Sequence, residues 1–212
     1  MINNKIKISN KNEIYKIKQK LKKNFYQEKC FNLSQNLSDT AEKYKNFTKS
    51  AVLCLLIANG IDGTLNIILT KRSKYLKHHK GQISLPGGKL ELKDKGNYTK
   101  CAIREANEEI GFKKRNAIYL GKLNKYITGS GFLIQPVVFL IKESQSFILN
   151  KQEVTSILHF PINYLLSESV AKKVFLDSEK NKYFYDIYWK KNRIWGATAK
   201  ILVDLINLLN RE

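Results

Sequence analysis

Apolar and polar positions fall into two periods along this chain. Ala51 to Ala58 is an apolar run of strand length, and Leu65 to Thr70 is a second. Asn59-Gly60-Ile61-Asp62-Gly63 between them is a turn signal, so the two runs predict a hairpin. A basic stretch from Lys71 to Gln82 leads into Leu85-Pro86-Gly87-Gly88, where proline and paired glycine predict irregular backbone that turns closely. Helical spacing then takes over from Tyr98 to Ile110. Ile103, Ala106 and Ile110 share one face there, Glu105, Glu108 and Glu109 are expected on the opposite one, and Gly111 stops the helix. Strands are predicted over Ala117–Ile127, Phe132–Ile141, Val170–Phe175 and Tyr183–Trp189, with a short helix from Phe160-Pro161 to Leu166. A final amphipathic helix spans Ala197 to Leu209, with Ile201, Leu202, Leu205, Ile206 and Leu209 inward. Strands mixed with a few helices indicate an α/β domain.

Residues 1–50 have a different texture. They carry no Gly or Pro, and Ile14, Ile17 and Leu21 recur at helical spacing among lysines. This predicts a basic helical extension over 1–50, packed on the domain with its lysines in solvent, ahead of a catalytic domain over 51–212. A membrane-surface or nucleic-acid arm is the other reading of the same pattern.

Composition narrows the options. The 212 residues are 43% hydrophobic, enough for a real core, and the formal net charge is +20. That charge favours a polyanionic partner, although it speaks to solubility and non-specific binding more than to fold. Cys30, Cys54 and Cys101 are odd in number and form no C-x-x-C pair, which argues against a disulfide framework or a zinc site. Cys54 and Cys101 lie in apolar stretches and read as small core residues. No apolar run approaches the roughly 20 residues that span a bilayer, and no targeting signal is legible, so a cytoplasmic location without a membrane partner is expected.

The chemistry concentrates in Gly87-Gly88-Lys89-Leu90-Glu91-Leu92-Lys93-Asp94 and in Arg104-Glu105-Ala106-Asn107-Glu108-Glu109-Ile110-Gly111-Phe112. Three carboxylates on one helical turn repel one another. A hard divalent cation relieves that repulsion, and Mg²⁺ suits two or three carboxylates that leave room for water and phosphate. The glycine turn just before the helix brings backbone close to such a site.

This ordered pattern resembles the Nudix box, G-x5-E-x7-R-E-U-x-E-E-x-G-U with U aliphatic. Two departures stand out: Asp94 occupies the first acidic position, and nine residues rather than seven separate it from Arg104. The resemblance implies that Asp94, or else Glu91, ion-pairs with Arg104. Upstream, Thr70, Arg72, Ser73, Gly81 and Pro86-Gly87-Gly88 are similar to the extra motif of the coenzyme A pyrophosphatase branch, with Lys77 and Leu85 where Arg and Phe are usual. Tyr126–Phe132 with Pro136, Glu153-Val154, Phe160-Pro161 and Ile194–Ala199 continue the likeness, which covers about Ala51 to Leu209.

The resemblance implies an α/β/α sandwich with a mixed sheet, and metal-dependent hydrolysis of coenzyme A to 4′-phosphopantetheine and 3′,5′-ADP. Glu105, Glu108 and Glu109 are the expected ligands of Mg²⁺ or Mn²⁺, with Glu108 or Glu153 as the base for the attacking water. Arg104 belongs to the same catalytic set, and Arg72, Lys77, Gly87 and Gly88 are expected to meet the substrate. His78 and His79 read as loop residues and Trp195 as core. ADP-ribose, NADH or a dinucleoside polyphosphate as substrate, a silent Nudix domain used as a nucleotide- or RNA-binding module, and an RNA-binding or decapping protein suggested by the +20 charge are the competing readings. No sequence-specific nucleic-acid partner is expected, because the basic residues look spread rather than interleaved with aromatics. A homodimer stays open.

Overall fold

The structure is a computed structural model that describes residues 6–8, 10–26, 31–32, 46–58, 63–141, 146–167, 169–177 and 182–210. Residues 59–62 of the expected turn, and Cys30, lie outside them. Two long neighbouring strands, β2 (Thr48–Ala58) and β8 (Phe132–Ile141), pair in parallel over ten residues, from Thr48↔Phe132 to Ile57↔Ile141. β3 (Leu65–Arg72) returns antiparallel to β2, completing the predicted hairpin, and β9 (Val154–Pro161) runs antiparallel to β3. Short strands fill the margins: β1 (Phe31–Asn32) on β7 (Tyr126–Ile127), β4 (Ile83–Ser84) on β3, β5 (Gly87–Lys89) on β2, and β6 (Ala117–Lys122) and β7 on β8. The sheet is therefore mixed, as expected.

Side chains alternate across this sheet with the period of two that pleating imposes. On one face Ala51, Leu53, Leu55, Ile68, Val137 and Phe139 form a core with Cys101, Ala102, Ala106 and Ile110 of helix α2 (Tyr98–Ile110). On the other, Cys54, Leu56, Ile67, Leu69, Val138 and Leu140 pack with Ile201, Leu202, Leu205 and Ile206 of helix α3 (Gly196–Asn210). The result is the α/β/α sandwich. Helix α1 (Lys11–Tyr26) joins the second core through Ile17 and Leu21. Leu21 is fully buried and lies so near Gly121 that a Cβ there would meet its own Cβ at 2.7 Å.

Three expectations need correcting. Leu85 and Pro86 are irregular as expected, but Gly87–Lys89 is strand β5, with Gly87 opposite Val52 and Gly88 opposite Ala51. A Cβ on Gly87 would meet Ala51 O at 2.3 Å and Val52 Cα at 2.6 Å, so glycine here permits a close strand rather than preventing one. The predicted strand over Ala117–Ile127 is two strands, β6 and β7, and its register on β8 shifts between Tyr119 and Gly121. β9 and β12 (Asn192–Trp195) were not anticipated. β9 reads Val-Thr-Ser-Ile-Leu-His-Phe-Pro and is mostly half-buried, so its alternation is weak. The expected helix up to Leu166 is a single 3₁₀ segment, Ile162–Leu166.

A second, antiparallel sheet follows, formed by β10 (Ala171–Asp177), β11 (Lys182–Trp189) and β12. Its inner side packs on α3 through Ile187 and Ile194, both fully buried. Trp195 lies on its outer side and is 38% exposed, so it is not a core residue.

Candidate active site

Helix α2 supplies the carboxylates, and local chemistry fixes its ends. Asn97 Oδ1 accepts from Thr99 N at 2.9 Å and Lys100 N at 3.1 Å, an N-cap that helical periodicity alone does not reveal. Gly111 closes the helix with φ of 68°, as its position predicts. Between these ends the three glutamates do not share one environment. Glu109 is only 3% exposed and turns inward beside Ala106, which corrects the expectation of three glutamates on the outer face. One helical turn offers a wide arc, and the sheet covers the part of it that includes Glu109.

Glu109 meets the strand β5 backbone and the basic loop. Gly87 N donates to its Oε2 at 3.3 Å, and Arg72 Nη1 stands 3.9 Å from Oε1. Burial pushes the Glu109 carboxyl up to about 8, opposed by the Arg72 charge and reinforced by Glu153 and Glu105. Glu105 lies against Gly88: a Cβ there would come within 2.3 Å of its carboxylate. Its carboxyl is also raised, first by burial, against the pull of Arg104. Beneath them the Cys101 thiol donates to Gly88 O at 3.6 Å and Lys89 O at 3.4 Å. Burial drives that thiol up to about 12, so it stays protonated and is a structural donor.

Arg104 organises the outer half. It forms a fork with Asp94, Nε to Oδ1 at 3.0 Å and Nη2 to Oδ2 at 2.9 Å. Its Nη1 then reaches Glu105 Oε1 at 2.7 Å, Glu108 Oε2 at 2.9 Å and Glu91 Oε1 at 3.4 Å. The shortened acidic side chain and the longer spacer are both absorbed. Leu92–Asp94 forms a 3₁₀ turn, and Lys95 and Gly96 take φ of 51° and 72°, which uses up the extra residues. Asp94 is held below the usual carboxylate range, chiefly by its hydrogen bonds from Arg104. Glu108, with its side chain 43% exposed, is shared between Arg104 and Lys93, whose Nζ lies 3.3 Å away.

Glu153 arrives from a separate segment that packs on the same face of the sheet as α2. The segment before it is tied to the end of α2, with Ile148 N donating to Ile110 O and Asn150 N to Glu109 O, both at 3.0 Å. Asn150 Nδ2 holds Glu153 Oε1 at 3.0 Å, and Ser73 N donates to Glu153 O at 2.7 Å. Glu153, Arg72 and Glu109 are thereby brought together from three separate segments. Asn150 and Lys93 were missed from sequence; Asn-x-x-Glu spacing at 150–153 was the available signal for the first. Lys77 is exposed and makes no ion pair with the three glutamates. His79 pairs with Gln82 at 3.0 Å, and His78 is exposed.

The donor set suits a hard cation. Glu109 and Glu105 present oxygen only, Glu109 is almost fully buried, and its nearest cation is Arg72, beyond hydrogen-bond range. Among the described residues no three acidic, His or Cys side chains converge tightly, because Arg104 and Lys93 hold Glu108 aside. A groove of about 750 Å³ runs along the other flank of α2, lined by Lys100, Ile103, Arg104, Asn107, Phe112 and Lys113 among others. Of the site residues only Arg104 touches it, so it is separate from the glutamate cleft.

The family model for the NUDIX domain matches residues 48–184. The chain is 33% identical over 180 residues to the peroxisomal coenzyme A diphosphatase ndx-8 of Caenorhabditis elegans, covering 83% of this chain and 75% of that protein. It is 32% identical over 174 residues to the mitochondrial Nudix hydrolase 15 of Arabidopsis thaliana, covering 79% of this chain and 60% of that protein's length. Among solved structures, a NUDIX hydrolase from Alicyclobacillus acidocaldarius superposes with a TM-score of 0.50 at 14% identity, covering 77% of this chain and 93% of that one. That last likeness concerns the fold alone.

Proposed function

The chain belongs to the Nudix hydrolase family, and from that premise we propose that it splits the diphosphate of coenzyme A or a derivative, giving 4′-phosphopantetheine, or its acyl form, and 3′,5′-ADP. The observation that carries this reading is the meeting of Glu105 and Glu109 at the Gly87-Gly88 strand, with Arg72 of the upstream basic segment directed at Glu109.

A bound Mg²⁺ or Mn²⁺ would shield the phosphoryl oxygens and acidify a coordinated water. Glu105 and Glu109 are the residues to hold it, with Glu108 as a third ligand once released from Arg104 and Lys93, or as base. Glu153 is the other candidate base, oriented by Asn150. Arg104, anchored by Asp94, positions Glu105 and Glu108. Arg72 binds phosphate oxygens on the inner side of the cleft, and exposed Lys77 does so from the loop. Gly87 and Gly88 let substrate phosphate approach backbone. In the same reading residues 51–212 form the catalytic unit, 1–50 an extension, and the protein works in the cytoplasm on a small-molecule substrate. Among the described residues no helix is long and apolar enough to cross a membrane.

The test is product analysis. Purified protein with coenzyme A and Mg²⁺ or Mn²⁺ should release 3′,5′-ADP, and Glu109→Gln should abolish the release. Cleavage of ADP-ribose or NADH with coenzyme A intact would keep the site and overturn the substrate. No cleavage of any of these would favour a binding module.

A further inference from the structure

The β10–β11–β12 sheet has an outer face that the proposed catalysis does not use. Its strand register places Lys172 opposite Asp186, Val174 opposite Phe184, Asp186 opposite Trp195 and Tyr188 opposite Arg193. Opposed residues share a face, so these side chains form one surface. Tyr188 is 58% exposed, Trp195 38% and Val174 37%. Such aromatic exposure is unusual unless something covers it.

The centre of that face is built and electrically neutral. Arg193 grips Asp186 with Nε to Oδ1 at 2.9 Å and Nη2 to Oδ2 at 2.8 Å. Its guanidinium lies 6.0 Å from the Tyr188 ring and 5.7 Å from the Trp195 ring, and Phe184 meets Trp195 edge-on at 5.8 Å. Both aromatic rings are therefore held in place with part of their surface open. The rim is cationic, with exposed Lys172 and, at the β11–β12 turn, exposed Lys191, whereas Lys190 lies over the Trp189 ring at 4.7 Å on the opposite face.

We propose that this face binds single-stranded nucleic acid without sequence preference. Bases stack on Tyr188 and Trp195, and phosphates follow Lys172 and Lys191. Rings held open between lysines offer a π-face to any base and a charge to each adjoining phosphate. The interleaving of aromatics with cations that the linear sequence hides is thus produced by strand pairing. Charge complementarity decides the occupant. A second copy would bring together two lysine-rimmed faces of chains that each carry a net charge of +20. A lipid surface would bury the Arg193–Asp186 pair away from water at a cost. A duplex keeps its bases stacked on one another and presents only charge to the rim.

The test uses the full chain and a fluorescein-labelled 15-mer of uridine, with a duplex of equal length beside it, followed by anisotropy at two salt concentrations. The single strand should bind more tightly than the duplex. Tyr188→Ala should weaken it by about tenfold, while Tyr188→Phe keeps the affinity. Replacing Lys172 and Lys191 by Gln should lower the slope of log affinity against log salt by roughly 0.7 for each phosphate that is no longer neutralised. Hydrolysis by the Tyr188 variants should be unchanged. Equal binding of duplex and single strand, or indifference to Tyr188→Ala, would overturn the proposal. So would a wild-type dimer that Tyr188→Ala splits in sedimentation, or a higher KM for coenzyme A in that variant.

Discussion

Gly88→Ala should separate activity from stability. An added Cβ would stand 2.3 Å from Glu105 Cδ and Oε2 and 2.5 Å from Oε1, whereas ordinary contact begins near 3.4 Å. The carboxylate must therefore retreat by about 1 Å, and a displacement of that size at a reacting centre costs roughly 100-fold in rate. Glu105 is the far end of a flexible side chain, so folding suffers little. A rotamer adjustment costs about 1 kcal/mol, and the lost freedom of glycine in the unfolded chain offsets roughly half of it. Gly87→Ala is the control with the opposite balance. Its Cβ would strike Ala51 O at 2.3 Å and Val52 Cα at 2.6 Å, backbone that cannot yield unless β5 leaves β2. A loss of about 2 kcal/mol or more is expected there. The assay pairs initial rates of 3′,5′-ADP release from coenzyme A with urea unfolding midpoints for both variants. A Gly88→Ala enzyme with wild-type rates, or one as destabilised as Gly87→Ala, would refute the close approach of Glu105 to this strand as the basis of its role.

Four further outcomes follow from the same geometry. Glu109→Gln should lose at least about 100-fold in rate while the metal-free protein melts no lower than wild type, because burial already pushes that carboxyl up to about 8 and a neutral amide of the same size replaces it; calorimetry without metal checks the second half. Asp94→Asn should weaken the anchor of Arg104 by about 2 kcal/mol at neutral pH. Because the Asp94 carboxyl is depressed in the folded state, its contribution is present above its unfolded value, near ~3.9, and is lost as pH falls through the lower folded value. The wild-type unfolding midpoint should therefore decline more steeply than that of Asp94→Asn on acidification, and parallel curves would contradict the linkage. Leu21→Ala should cost about 3 kcal/mol, since the side chain is fully buried against Gly121; a urea midpoint within error of wild type would detach α1 from the core. Chelation with EDTA should stop hydrolysis, and added Mg²⁺ or Mn²⁺ should restore it, whereas activity that survives chelation would remove the metal from the reading.

The sequence alone carried the local patterns. The strand pair β2 and β3, the bounds of α2 at Tyr98 and Ile110, its stop at Gly111 and the inward face of α3 were all legible, because period and turn chemistry are properties of adjacent residues. The box glutamates and Arg104, as motif residues, were legible for the same reason. Tertiary structure decided which of those residues share a place. Glu109 turned inward and Glu108 outward because the sheet covers only part of one helical arc. Asp94 stayed paired with Arg104 because a left-handed Lys95-Gly96 turn took up the long spacer. Gly87-Gly88 became a strand because missing Cβ atoms let it lie against β2 and Glu105. Trp195, Arg193 and Tyr188 formed one surface only once β11 and β12 were in register. Proximity across a sheet depends on pairing between distant segments, and spacing along one segment does not encode that pairing.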